Sequence, residues 1–251
     1  MARASEHMVV GYTYHLTHRC HDRRFLLRFA RDRDVYREWL RVGVARHRVP
    51  VYGYCVTSNH VHVLARAENE EAISGLMHLA AGATAKCYNL RKQRQGAMWE
   101  HPYQCTLIQD GEHLLNCLCY IDLNMVRAGV VSHPRAWRWC GYDELSGTRV
   151  RYRLIDREGL VERLGMSDLR SFRMMYAEAI ERRLSEGGRA RQPHWTGALA
   201  VGSADFVHIM ESHYGHRRML QIDPCTSDRS TWMVKEPSAR YEAISGGQNG
   251  R

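Results

Sequence analysis

The sequence predicts an α+β fold, a ferredoxin-like split β-α-β antiparallel sheet with a helical extension at its C-terminal end. Two observations predict it. Short β-branched and aromatic runs alternate with segments of helical periodicity in the order strand, helix, strand, strand, helix, strand, helix. After about Thr148 the strand signals stop and helical periodicity takes over.

Met8 to Arg19 reads as the first strand, with Tyr12, Tyr14 and Leu16 on one face and His15 and Arg19 on the other. From Val35 to His47, the residues Val35, Trp39, Val42 and Ala45 recur near helical spacing, with Asp34 able to cap the start and Pro50 just beyond the end. Val51–Val56 and His60–Ala65 are β-type runs joined by Thr57-Ser58-Asn59, which reads as a hairpin. Glu70 to about Arg91 reads as a helix capped by Asn69 and lined by Ile73, Leu76, Ala80, Ala83 and Cys87. Tyr103–Ile108 is the fourth strand, and Asp110-Gly111 opens a helix that runs to Ala128 and stops at Gly129. Helices are expected over Glu158–Leu164, Asp168–Leu184 and Ala204–Tyr214. The expected organisation is therefore a domain over 1–148, a helical extension over 149–222 and a flexible tail over 223–251.

With 251 residues, 44% apolar and 25% charged, the chain has the composition of a globular protein that can bury a sizeable core. Its net charge of +9 favours a polyanionic partner. Almost all the excess is arginine, since Lys86, Lys92 and Lys235 are the only lysines, and a guanidinium fork suits phosphate. The eight cysteines form no Cys-x-x-Cys pair, which argues against a zinc ribbon. Without a cleavable leader or an apolar run long enough to span a bilayer, a cytoplasmic, nucleoid-associated location with free thiols is expected, and no membrane partner.

Two short motifs carry chemistry. In Asn59-His60-Val61-His62, strand alternation sends His60 and His62 to one face while Val61 and Val63 pack on the other. In Tyr120-Ile121-Asp122-Leu123-Asn124, the four-residue spacing puts Tyr120 and Asn124 on one helix face, next to Asn116 and Arg127 and apart from the core stripe of Leu114, Leu118, Ile121 and Met125. Taken singly, a His-x-His pair occurs by chance in a chain with 15 histidines, and a polar helix stripe is often only solvated. Other His-x-His sites act on small molecules with a carboxylate as the further ligand, and that reading stays open at this point.

Taken together, these motifs resemble the REP-associated tyrosine transposases of the single-tyrosine HUH superfamily. The resemblance runs from Tyr14-His15-Leu16-Thr17 and Arg19 through Tyr54, Asn59-His60-Val61-His62-Val63-Leu64, Gly96-Ala97-Met98-Trp99 and Tyr120 to Val131. It closes at Trp139 and Tyr142, with an echo near Ala200 to Val207. It implies an HUH domain acting as a metal-dependent single-stranded DNA endonuclease and strand transferase, cutting beside hairpin (REP-like palindromic) DNA through a 5′-phosphotyrosine. It implies Tyr120 as the nucleophile and His60, His62 and Asn124 as ligands of a divalent metal, Mg or Mn. Arg19, Lys86, Arg91, Lys92 and Arg127 are candidates for backbone phosphates, and Tyr103 for stacking on a base. A monomer is favoured over a homodimer, and a non-catalytic hairpin-binding relative is the alternative. The sequence departs from the family at Thr57-Ser58 before the histidines, at Met125 after Asn124, and at His101-Pro102 in place of a frequent Gly-Arg pair.

Overall fold

A computed structural model describes residues 8–100, 102–187, 192–215, 219–225 and 228–237. The first strand is shorter than alternation suggested. Gly11 adopts φ +88° and its N–H bonds the Ala67 carbonyl, so the chain turns there and β1 spans Thr13–Arg19, leaving Tyr12 outside it. α1 (Ala30–His47) starts before Asp34, whose carboxylate instead accepts from Arg138 and Trp139. β2 (Val51–Val56) and β3 (His60–Arg66) form the expected hairpin, and Asn69 caps the first turn of α2 (Ala72–Lys92) by accepting from the N–H groups of Glu71 and Ala72.

β4 (Gln104–Ile108) completes the order β2-β3-β1-β4, with every pair antiparallel, which is the split β-α-β arrangement. The next helix is interrupted rather than continuous. Leu123 leaves helical geometry at ψ 2°, giving α3 (Glu112–Asp122) and the single turn α4 (Asn124–Arg127). Gly129, at φ +68°, ends it as expected, with Val130 N–H bonding the Met125 carbonyl and Gly129 N–H that of Val126.

The segment expected to be a helical extension is only partly helical. After α5 (Tyr142–Leu145), this segment holds α6 (Arg157–Arg163), α7 (Leu169–Ser185), α8 (His194–Gly197) and α9 (Ala204–Tyr214), with β5 (Ala200–Gly202) between the last two pairing parallel with β4. Residues expected to begin a flexible tail form strands. β6 (Gln221–Cys225) and β7 (Asp228–Lys235) extend the sheet to β2-β3-β1-β4-β5-β7-β6. The remainder of that expected tail, residues 226–227 and 238–251, lies outside the described residues.

Two layers cover the sheet around β1 and β3. Tyr14, Leu16, Val61 and Val63 are buried toward α1 and α2, which pack on each other closely enough that a Cβ on Gly43 would stand 2.7 Å from Leu76. On the opposite face α3 lies against β2. Gly53 permits this approach, because a Cβ there would be 2.6 Å from Leu118 Cδ1. Beneath α3 the Tyr176 hydroxyl of α7 donates to Asp122 at 2.6 Å. Asp122 therefore points away from the Tyr120 side of its helix, and burial raises its carboxyl to about 7.

Candidate active site

The β2–β3 turn sets the first histidine. Thr57 N–H bonds the His60 carbonyl at 2.9 Å, and Thr57 Oγ1 accepts from His60 N–H at 3.0 Å. Next to it, Asn59 Nδ2 donates to the Arg23 carbonyl, which leaves Asn59 Oδ1 as an acceptor 2.8 Å from His60 Nδ1. A proton on that Nδ1 places the imidazole lone pair on Nε2.

One strand step later, His62 sits in register with Thr17 of β1 and Cys55 of β2. The His60 and His62 rings lie 4.7 Å apart, nearly perpendicular, so alternation delivers the paired imidazoles that it predicts. His62 is almost wholly buried and makes three polar contacts. His62 Nδ1 is 2.8 Å from His15 Nε2 and 3.4 Å from Thr17 Oγ1, and His62 Nε2 is 3.0 Å from Asn124 Nδ2. Burial, reinforced by neighbouring His60, His15 and Arg127, pushes its pKa well below the ordinary imidazole value, so the ring is neutral at pH 7.

α3 and α4 supply the other half. The Tyr120 ring stands edge-on to His62 at 6.1 Å and packs against His15 at 6.2 Å and Trp195 at 6.3 Å. Arg127 turns back over it. Its guanidinium carbon lies 3.9 Å from the Tyr120 ring centroid, and Nη2 donates to the Tyr120 carbonyl at 2.6 Å. The break at Leu123 does not separate the pair, because Asn124 still reaches His62. Tyr120, His60, His62, Asn124, Arg127 and Arg19 line one cleft of about 420 Å³ together with Arg23, Asn59, Thr17 and Thr196. Among the described residues three arginines and no carboxylate border it, which suits a phosphodiester. Among the described residues no group of three or more histidine, cysteine, aspartate or glutamate side chains is placed to hold a metal, so the candidate donor set is two imidazoles and an amide. Flipping the Asn124 amide, whose nitrogen stands 3.0 Å from His62 Nε2, would set its oxygen there, and imidazole nitrogen with amide oxygen is a donor set a divalent ion accepts.

The other candidate nucleic-acid contacts lie elsewhere. Lys86 and Lys92 are exposed along α2, with Lys92 5.3 Å from the Phe29 ring, and Arg91 forms an ion pair with Asp32. Tyr103 is partly buried against the core on the α2 side, and burial raises its hydroxyl to about 12. Sequence reasoning placed His15 and Thr17 in the opening-strand motif without giving either a role, and it missed Arg23, Trp195 and Thr196. Trp195 carried no signal, because its contact with His15 spans 180 residues of chain.

The fold and site together define an α+β domain presenting imidazoles, an amide and a phenol in a basic cleft. Residues 8–124 match the family described as "Transposase IS200 like", so this segment, a little under half of the chain, is similar to the IS200-like transposases. The solved structure of a REP-associated tyrosine transposase bound to a REP hairpin is similar to it over 61% of this chain and 89% of that one, at 15% identity and a TM-score of 0.48. No curated protein matches the sequence. Among the described residues no helix is long and apolar enough to cross a membrane.

Proposed function

We propose that this chain is a metal-dependent endonuclease and strand transferase for single-stranded DNA, cutting beside a hairpin through a 5′-phosphotyrosine at Tyr120. The observation that carries the reading is the meeting of Tyr120, His60, His62, Asn124 and Arg127 in one basic cleft of one chain. Because both halves of the site come from the same chain, a monomer suffices.

His60, His62 and Asn124 would hold a divalent ion, Mg or Mn, which polarises the scissile phosphate and offsets charge developing on it. All three ligands are neutral, so they leave the ion's charge undiminished. The Tyr120 oxygen attacks phosphorus and loses its proton to water; the bond from phosphorus to the 3′ oxygen breaks, and that oxygen takes a proton from water and leaves as a 3′-hydroxyl. Attack by another 3′-hydroxyl on the phosphotyrosine reverses these bond changes, joins the strands and regenerates the phenol. Arg127, fixed against the ring and carbonyl of Tyr120, keeps a positive charge beside the oxygen where negative charge builds. Arg19 and Arg23 border the same cleft and serve the flanking phosphates.

The test is incubation with Mn²⁺ and labelled single-stranded hairpin DNA from the source genome, followed by denaturing gels. A detergent-resistant adduct is expected with the wild-type chain and none with Tyr120→Phe. Tight hairpin binding with no adduct at any metal concentration would establish the non-catalytic alternative instead.

A further inference from the structure

We propose that His15 and the backbone carbonyl of Trp195 are positioning groups that fix the tautomer of His62, so that its Nε2 is the atom offered to a divalent cation. The inference rests on the metal role given to His62 above. It makes α8, which lies beyond the family-matched residues 8–124, a working part of the site.

A carbonyl oxygen can only accept, so the 2.7 Å contact between His15 Nδ1 and the Trp195 oxygen requires a proton on His15 Nδ1. His15 is 1% exposed, and its hydrogen-bond partners are the Trp195 carbonyl and the His62 ring, neither of them an anion, so a charged ring would lie buried without a counterion and the imidazole is neutral. A neutral ring protonated at Nδ1 has its lone pair at Nε2. The 2.8 Å contact from that Nε2 to His62 Nδ1 therefore requires a proton on His62 Nδ1. His62 is neutral in turn, so its Nε2 carries a lone pair, toward which the Asn124 amide nitrogen points at 3.0 Å.

Every donor in the chain thus points from the cleft toward α8. Reversing the order would set the bare Nδ1 of His15 against the Trp195 carbonyl, two acceptors 2.7 Å apart in a buried place, where both would go unsatisfied. Thr17 Oγ1, farther from His62 Nδ1 at 3.4 Å, can rotate to accept and fits either order, so His15 decides it. The stacked His15 and His62 rings, 5.0 Å apart, also hold the imidazole plane. Outer hydrogen-bond partners of this kind orient a ligand and raise its basicity, and their loss weakens metal binding by roughly 10- to 100-fold.

Two measurements on the full chain test the assignment. Long-range ¹⁵N–¹H spectra of the metal-free protein should show His62 protonated at Nδ1 and bare at Nε2; the opposite tautomer overturns the proposal whatever the metal result. Mn²⁺ titration followed by electron paramagnetic resonance should show His15→Leu binding about 10- to 100-fold more weakly than wild type. His15→Gln, which keeps one donor and one acceptor, should restore most of the affinity. If His15→Leu fails to melt cooperatively, His15→Gln and the tautomer measurement carry the test. A wild-type chain that takes up no Mn²⁺ overturns the metal reading of His62. A wild-type chain that binds Mn²⁺, with a His15→Leu chain binding it equally, overturns the role of His15 alone.

Discussion

The two faces of β1 and β3 are built from the same strands and do opposite things. Toward α1 and α2 they present Tyr14, Leu16, Val61 and Val63, a surface fully buried against apolar helices. Toward α3 and α8 the intervening residues His15, Thr17, His60 and His62 are also largely buried, yet they make polar and aromatic contacts. Burial alone therefore does not mark a core. Period-two alternation lets one pair of strands fix a rigid apolar layer and, a residue away, hold imidazoles in set positions, so the packed face provides the rigidity that the polar face needs.

The sharpest way to break this comparison is to remove one residue from each face. His62→Ala should abolish the Mn²⁺-dependent DNA adduct, while thermal denaturation stays cooperative because the apolar layer is untouched. Leu16→Ala, with its side chain fully buried among α1, α2 and the sheet, should cost about 2–5 kcal/mol of stability in denaturant titration, yet the molecules that remain folded should still form adduct. Equal losses of adduct per folded molecule in both variants would show that the two faces are not separable.

A smaller effect is expected at Arg127, which belongs to the polar face by contact although it lies on α4. Arg127→Gln removes the charge beside Tyr120 and a donor to its carbonyl. Single-turnover adduct formation should slow on the order of a hundredfold, as for the loss of one charge-stabilising donor, with only a modest loss of hairpin affinity. An unchanged rate with weakened binding would make Arg127 a phosphate contact only.

The same comparison explains what could be read in the sequence. Strong alternation around Val61 and Val63 fixed the direction of His60 and His62, and the four-residue spacing fixed that of Tyr120 and Asn124. Local signals failed where the cause is remote. Leu123 interrupts the helix without a nearby glycine or proline to announce it. β5 is only three residues long and is defined by pairing with β4 and β7, and β6 carries a proline and little alternation, so both were read as something else. His15 and Trp195 gain their meaning from each other across the chain, a relation no window of sequence contains.

The smallest expected effect lies in the support beneath α3 rather than on either face. Asp168 caps α7, the helix whose Tyr176 bonds Asp122: one carboxylate oxygen accepts from the N–H groups of Arg170 and Ser171 at 2.7 and 2.9 Å, and the other accepts from the hydroxyls of Ser167 and Ser171. These bonds, led by Ser171, hold its carboxyl at about 2, below the ordinary 3.8. The folded state therefore gives up this charge later than the unfolded state does, so the stabilisation is fully present above the unfolded value and is lost as pH falls toward 2. Asp168→Ala should lower the melting temperature slightly at pH 7, and the gap from wild type should narrow as pH drops below 4. Histidines titrate alike in both chains, so the difference isolates the cap. Adduct formation at pH 7 should be unchanged, because α7 reaches the cleft only through the far side of α3. A gap that persists undiminished at pH 3 would show that the carboxylate charge contributes nothing to the cap, and a loss of adduct would show that the polar face depends on α7 more directly than its contacts indicate.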